Sequence, residues 1–223
     1  MLKLKTAAAI LVLFMTNFCQ AGKATEDSIY HFIRFNVGNV SKYEAFLTKL
    51  EQNVKNNKGE ILTRGLQRSS SCLENTCRDV NIVIRFPNKK RANKSFKKIK
   101  PQISIAAFSD LSYSSSVQLV LPLFDFDAQE NHFFIGELNV ANITAFRNQY
   151  ETKTAQLVAF HGGTTSTVDK SSKCLLGNCY SANILISFPT IQQAHNWYYS
   201  PEYQQLIPIR QSLSQGRSLV LTE

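Results

Sequence analysis

Apolar and polar side chains alternate along Tyr30–Val37 and again along Phe133–Val140, which predicts a strand at each. After each strand the apolar positions change to helical spacing. Val40, Tyr43, Phe46, Leu47, Leu50 and Val54 form one stripe, and Ile143, Phe146, Tyr150 and Leu157 the other. Asn39 and Asn142 stand where a helix N-cap belongs, each offering a side-chain oxygen to an orphan backbone N–H. The same Asn-x-Ser/Thr triplets match the glycosylation pattern, but capping explains them without a glycan. Second strands are predicted at Ile61–Leu66 and Thr164–Val168. Strongly apolar third strands follow at Asn81–Phe86 and Asn183–Phe188, where Pro87 and Pro189 end them and lead into second helices. Last strands are predicted at Val117–Leu121 and Ser218–Leu221.

The two series are one pattern written twice. Residues 72, 77 and 87 map onto 174, 179 and 189, an offset of 102. Earlier in each copy the offset is 103: "FNVGNVSKYEAF" lies against "LNVANITAFRNQ", and Gly59 falls on Gly162. A one-residue loop deletion between Gly162 and Cys174 would account for the change. The reading is a tandem duplication. Each copy has the order β-α-β-β-α-β, the ferredoxin-like plan. The fold class is therefore α+β: two tandem ferredoxin-like units, each with helices on one sheet face and the other face covered by its twin.

The N-terminus adds a compartment. Lys3 and Lys5 precede the apolar run Ala7–Met15, and Ala21 offers a small-residue cleavage site. The run is too short for a comfortable membrane span. Residues 1–21 are expected to be a signal peptide, 22–127 a basic and divergent first copy, and 128–223 the second. Export to the periplasm or beyond follows. Removing the signal takes Cys19 away and leaves Cys72, Cys77, Cys174 and Cys179. An even count in an exported chain reads as disulfides. If strands two and three form a hairpin with the cysteines flanking its tip, opposed Cα atoms lie about 4.5–5.5 Å apart. That falls inside the disulfide window of about 4.4–6.8 Å. The expected bridges are Cys72–Cys77 and Cys174–Cys179, each contributing roughly 2 kcal/mol. A four-cysteine zinc site is the competing arrangement, and export argues against it.

"FPTIQQAHNWYYSPEYQQLIPIR" (188–210) resembles the domain of unknown function 1330 family. The pattern is Phe-Pro, Ala194, Trp197-Tyr198, Ser200-Pro201-Glu202-Tyr203, then Pro208 and Arg210. "FIGELNV" (134–140) is similar to that family's first strand, with Glu137 at its acidic position, and "GEILTRG" (59–65) to its second, including Arg64-Gly65. The resemblance covers nearly all of the second copy and, more loosely, the first. It implies the dimeric α+β barrel superfamily, in which two ferredoxin-like units join sheet to sheet; here both would lie on one chain, as a monomer with an internal pseudo-two-fold. The first copy departs from the pattern with Ser95-Phe96 in place of Trp197-Tyr198, and the second with Thr167 in place of Arg64.

Three groups of residues are candidates for chemistry. Strand parity puts Arg34, Arg85 and Glu137 on the faces that meet between the sheets, with Arg34 and Glu137 at equivalent positions and of opposite charge. They read as an anion or carboxylate site or, preferably, as an ion pair that fixes how the halves dock. Arg64, Trp197, Tyr198, Tyr203 and Arg210 are a candidate pocket, although aromatic residues at helical spacing more often belong to a core. Lys89, Lys90, Arg91, Lys94, Lys97, Lys98 and Lys100 are a candidate docking face for an anionic lipid surface, a glycan or an acidic partner. Residues 22–127 hold 17 basic and 10 acidic side chains, against 6 and 6 in 128–223.

Other chemistry finds little support. The histidines, His31, His132, His161 and His195, include no helical metal pair, so no metal site is assigned. No Gly-rich phosphate loop or nucleophile elbow is present, and no serine stands beside a recognisable base. No cofactor is assigned; heme is a third idea with no evident histidine ligand. Nucleic acid is disfavoured for an exported chain. The reading favours a binding or interaction module for an unknown small molecule or acidic partner. The alternative is a cofactor-free enzyme of isomerase or monooxygenase type, as the resembled superfamily includes.

Overall fold

A computed structural model describes residues 28–37, 39–66, 70–75, 78–106, 115–120, 132–165 and 173–222. The expected signal peptide, Cys77 and the side chain of Arg64 lie outside the described residues.

In the N-terminal half, β1 (Ile29–Phe35) leads to α1 (Val40–Asn56), β2 (Glu60–Leu66), β3 (Ser70–Asn75), β4 (Val80–Phe86), α2 (Lys89–Ala106) and β5 (Ser115–Val120). The C-terminal half runs β6 (His132–Val140), α3 (Ile143–Phe146), a π-helical turn (Arg147–Glu151), α4 (Thr152–Phe160) and β7 (Thr164–Thr165). It continues with β8 (Lys173–Gly177), β9 (Ala182–Phe188), α5 (Ile191–Tyr198), α6 (Pro201–Leu213) and β10 (Ser214–Thr222). Asn39 caps α1 by accepting from the Lys42 amide at 2.9 Å, and Asn142 caps α3 through the Ala145 amide at 3.0 Å. The second helix expected in the C-terminal half is two helices. Ser200 ends the first stretch and caps the next, with Pro201 at the first helical turn, where its missing N–H costs nothing.

The fold is α+β with two antiparallel five-stranded sheets, ordered β2-β4-β1-β5-β8 and β3-β10-β6-β9-β7. Two strands, β3 and β8, were not predicted. They carry Cys72 and Cys174, and each joins the sheet of the other half: β3 pairs with β10, and β8 with β5. The simple cysteine-tipped hairpin is therefore corrected. The chain leaves β2, lends a strand to the opposite sheet, and only then returns as β4. Cys174–Cys179 is bridged, with Cα atoms 5.6 Å apart, closing the turn after β8. Cys72 is disulfide-bonded as well.

Three apolar clusters explain the layering. Ile33, Phe35, Tyr43, Phe46, Ile84 and Phe96 belong to the core between the first sheet and its helices. Phe134, Phe146, Tyr150, Ile186, Trp197 and Tyr203 belong to its counterpart in the C-terminal half. Between the sheets lie Tyr30, Phe32 and Val83 with Phe133, Ile135 and Leu185. The helix-free faces of the two sheets share this cluster.

The matching of the halves also needs a correction. Gly59 does not fall on Gly162. A Cβ on Gly59 would strike the Phe86 ring at 2.6 Å, and one on Gly163 would strike Phe188 at 2.5 Å. The preceding residues, Lys58 and Gly162, have φ of 54° and 77°. Residues 46, 50, 54 and 59 thus map onto 150, 154, 158 and 163, an offset of 104. The extra residue sits in the π-helical turn, where one residue is absorbed without breaking the helix. The loop before Cys174 is then two residues shorter than its counterpart, not one.

Candidate active site

Three groups of buried polar residues, each in its own place, bear on chemistry. Between the sheets, Arg34 Nη1 meets Glu137 at 2.9 Å, with the side chains 1% and 2% exposed. Arg34 Nε also donates to Asn81 Oδ1 at 2.8 Å. Arg85, expected in the same group, is not there. It pairs with Glu60 at 2.5 Å, because the β2–β4 register puts those two residues directly opposite each other.

The second place lies between the sheet and helices of the C-terminal half. Arg210, on the last turn of α6, is buried, and its Nη2 lies 2.6 Å from both oxygens of Glu74. The Tyr198 hydroxyl, at the end of α5, donates to Glu74 Oε1 at 3.0 Å. The hydroxyls of Tyr150, in the π-helical turn, and Tyr203, on α6, are 3.0 Å apart. Trp197 packs under them, 4.1 Å from the Tyr203 ring and 4.8 Å from Phe134. Of the predicted pocket, Trp197, Tyr198, Tyr203 and Arg210 come together here.

Sequence reasoning missed Glu74 and Tyr150. Glu74 comes from the N-terminal half on the exchanged strand β3. The β3–β10 pairing runs Leu219↔Glu74 and then Val220↔Cys72, so Leu73 is a bulge residue. A bulge re-aims side chains. Leu73 packs against the C-terminal helix-side core while Glu74 reaches Arg210 on the same side. The equivalent bulge in β8 sends Leu175 and Leu176 into the N-terminal core. The one available signal was an acid, "CLEN", where the other copy has "CLLG".

The electrostatics favour donors over bases. Burial pushes the phenols of Tyr150, Tyr198 and Tyr203 up, and the Glu74 carboxylate adds to the rise at Tyr198. All three hold their protons at neutral pH. The site therefore combines a fixed guanidinium, proton-bearing hydroxyls and one carboxylate. Such a group orients an anion or steadies negative charge on an oxygen.

The third place is His31, fully buried, edge-on to Phe86 at 5.2 Å and Phe96 at 5.8 Å. Burial lowers its pKa to about 4. Its ring nitrogens have no hydrogen-bond partner among the described residues.

On the surface, Lys89, Lys90, Lys94, Lys97, Lys98 and Lys100 are exposed on α2 and Arg91 is half-buried, while Ala92, Ser95, Phe96 and Ile99 face inward. No group of three or more His, Cys, Asp or Glu among the described residues is placed to hold a metal. No helix among them is long and apolar enough to cross a membrane.

The architecture is similar to that of the dimeric α+β barrel proteins. A mutant chlorite dismutase from Candidatus Nitrospira defluvii, solved with cyanide, superposes with a TM-score of 0.52 at 8% identity, covering 89% of this chain and 91% of the other. A DypB variant from Rhodococcus jostii, in complex with heme, gives 0.51 at 9%, covering 89% and 93%. A monooxygenase candidate from Fusobacterium nucleatum subsp. nucleatum gives 0.51 at 11%, covering 88% and 93%. No curated protein matches the chain. The family model described as domain of unknown function (DUF1330) matches residues 131–223, the half whose helices carry Tyr150, Tyr198, Tyr203 and Arg210.

Proposed function

We propose that this chain is an exported small-molecule enzyme of isomerase or monooxygenase type, built as two tandem ferredoxin-like units forming a barrel within one chain. It works at the Arg210–Tyr198–Tyr203–Tyr150 group of the C-terminal half. One observation carries the reading. The N-terminal half packs the same elements with Phe46, Phe96 and Leu176 where the C-terminal half buries Tyr150, Tyr198 and Glu74. Packing alone does not require the polar group, and buried polar groups are costly unless fully partnered. The sequence favoured a binding module; the buried donor cluster moves the reading to the enzyme.

The fold shared with the monooxygenase candidate supports the shape alone, at 11% identity. The internal duplication is supported by the matching sheet orders. Export is supported by the disulfide. Heme does not fit the described residues, because the fully buried His31 is held edge-on to the Phe86 and Phe96 rings.

The donors would hold an anionic or enolisable substrate and steady the charge that develops on its oxygen. The test is turnover. The mature protein incubated with a small-molecule extract should deplete a component by mass spectrometry. Arg210→Met and Tyr203→Phe should slow that depletion by about 100-fold. Retention of a component without its consumption would return the chain to the binding class.

A further inference from the structure

Glu74 is an imperfect partner for Arg210. Both of its oxygens converge on the single nitrogen Nη2, at 2.6 Å each. The Nε–H of Arg210 is buried and has no hydrogen-bond partner among the described residues. A carboxylate free to orient itself meets a guanidinium in its plane, one oxygen to each of two nitrogens. Glu74, reaching in from β3, does not make that fork. A second buried donor, Trp197 Nε1, also has no acceptor among the described residues. Tyr198 already donates to Glu74. The cluster is thus rich in N–H and O–H groups, with Glu74 its carboxylate acceptor.

The donors and the acceptor come from different parts of the fold. Tyr198 and Arg210 sit on α5 and α6 of the C-terminal half, whereas Glu74 arrives on the strand lent by the N-terminal half. Glu74 is also the more accessible member, 12% exposed against 3% for the Arg210 side chain. If Glu74 swings aside, a buried cation remains, and leaving it unpaired is costly. The carboxylate must be exchanged for another anion rather than simply removed.

We propose that Arg210, assisted by the Tyr198 hydroxyl, is a binding site for a small organic carboxylate, and that Glu74 is the internal carboxylate occupying it until a ligand takes its place. The inference names the substrate class of the site and rests on the reading above for what happens after binding. The incoming ligand places its two oxygens on Nε and Nη2 of Arg210, a fork that Glu74 does not make. Arg210 is buried among aromatic side chains, so a ring-bearing or short-chain acid suits the site better than a polyanion.

Trp197 is the only tryptophan in the chain and lies within the cluster, so its emission reports on the site directly. The probe is benzoate, titrated into the full-length mature protein. Glu74→Gln should bind it at least about tenfold more tightly than wild type, with a saturable change in emission. Benzamide, of the same shape but uncharged, should give no such change. Glu74→Gln combined with Arg210→Met should lose the benzoate response. Should Glu74→Gln fail to fold, Glu74→Asp keeps the charge and withdraws it by one methylene; its affinity should fall between the two, and its melting temperature should rise with benzoate. No saturable response in a folded Glu74 variant overturns the proposal, as does a response that survives Arg210→Met. Turnover that persists without benzoate binding overturns this inference and leaves the enzyme. Benzoate binding with no turnover of any extract component supports this inference and removes the enzyme.

Discussion

Where the C-terminal half seats Trp197 against Phe134, the N-terminal half has Ser95 and His31 at the equivalent positions. The backbone of the two halves is laid out alike, so the missing indole has to be replaced. Asn53 replaces it. Its Nδ2 donates to Ser95 O at 2.9 Å and to Ser95 Oγ at 3.2 Å, while Asn57 braces Asn53 from the next turn. One scaffold therefore holds two aromatic interiors: one built around Trp197 with a charged Tyr–Arg–Glu cluster at its edge, and one of Phe and Tyr rings with a small amide network beside a lone imidazole. The lesson is that the indole and the charged cluster are separable from the fold. The same sheet closes on its helices without either.

The comparison can be broken at five points. Trp197→Ala should cost about 3–5 kcal/mol by denaturant unfolding, since it empties a fully buried site. Ser95→Ala should cost only about 1 kcal/mol, because Asn53 keeps its bond to the backbone carbonyl. Equal losses would mean that the two interiors are not distinct. Glu137→Gln should cost about 4 kcal/mol, because the buried Arg34 loses its counter-charge. The benzoate response should be unchanged, which separates the docking pair from the ligand site.

His31→Phe makes the N-terminal interior resemble the other and sharpens the contrast through pH. Wild-type His31 has a folded pKa of about 4 against 6.5 when unfolded. The unfolded chain then binds the extra proton first, so stability is full above about pH 6.5 and is lost as pH falls towards about 4. The loss at pH 4 should be about 3 kcal/mol. The phenylalanine variant should lose this acid-dependent component in unfolding titrations across that range. If both proteins trace the same pH curve, His31 is not the group responsible. The smallest effect on stability is expected on α2. Lys94, Lys97 and Lys98 changed together to Glu should move stability by no more than about 0.5 kcal/mol. Cosedimentation with anionic vesicles should be abolished if α2 is a docking face, a role that the less basic α5 and α6 are not expected to share.

Part of this was legible along the chain. Period-two and helical spacing located the predicted strands and first helices, and the two Asn caps marked where those helices begin. Strand parity put Arg34 and Glu137 on the meeting faces, and they meet. The Trp-Tyr, Ser-Pro-Glu-Tyr and Pro-x-Arg pattern supplied four of the five residues of the expected pocket. What could not be read depends on non-local pairing. Whether β3 rejoins its own sheet or crosses to the other is decided by the competition between edges, not by its six residues. Without that crossing nothing places Glu74 beside Arg210. The π-helical turn was hidden for a related reason: one added residue leaves the apolar stripe looking helical on either side. Arg85 was assigned to the centre by parity alone, while its partner Glu60 was set by a β2 register that includes a shift between Ile61 and Thr63.

Arg34 and Glu137 hold the same place in their respective sheets, and they touch each other. Contact between counterpart positions has a consequence for assembly. Two N-terminal halves mated face to face would press guanidinium against guanidinium in a dry seam, and two C-terminal halves carboxylate against carboxylate. Only the mixed couple is electrically tolerable. Covalent linkage keeps both members at hand in equal number, so this lock selects the unlike partner and rejects either like one.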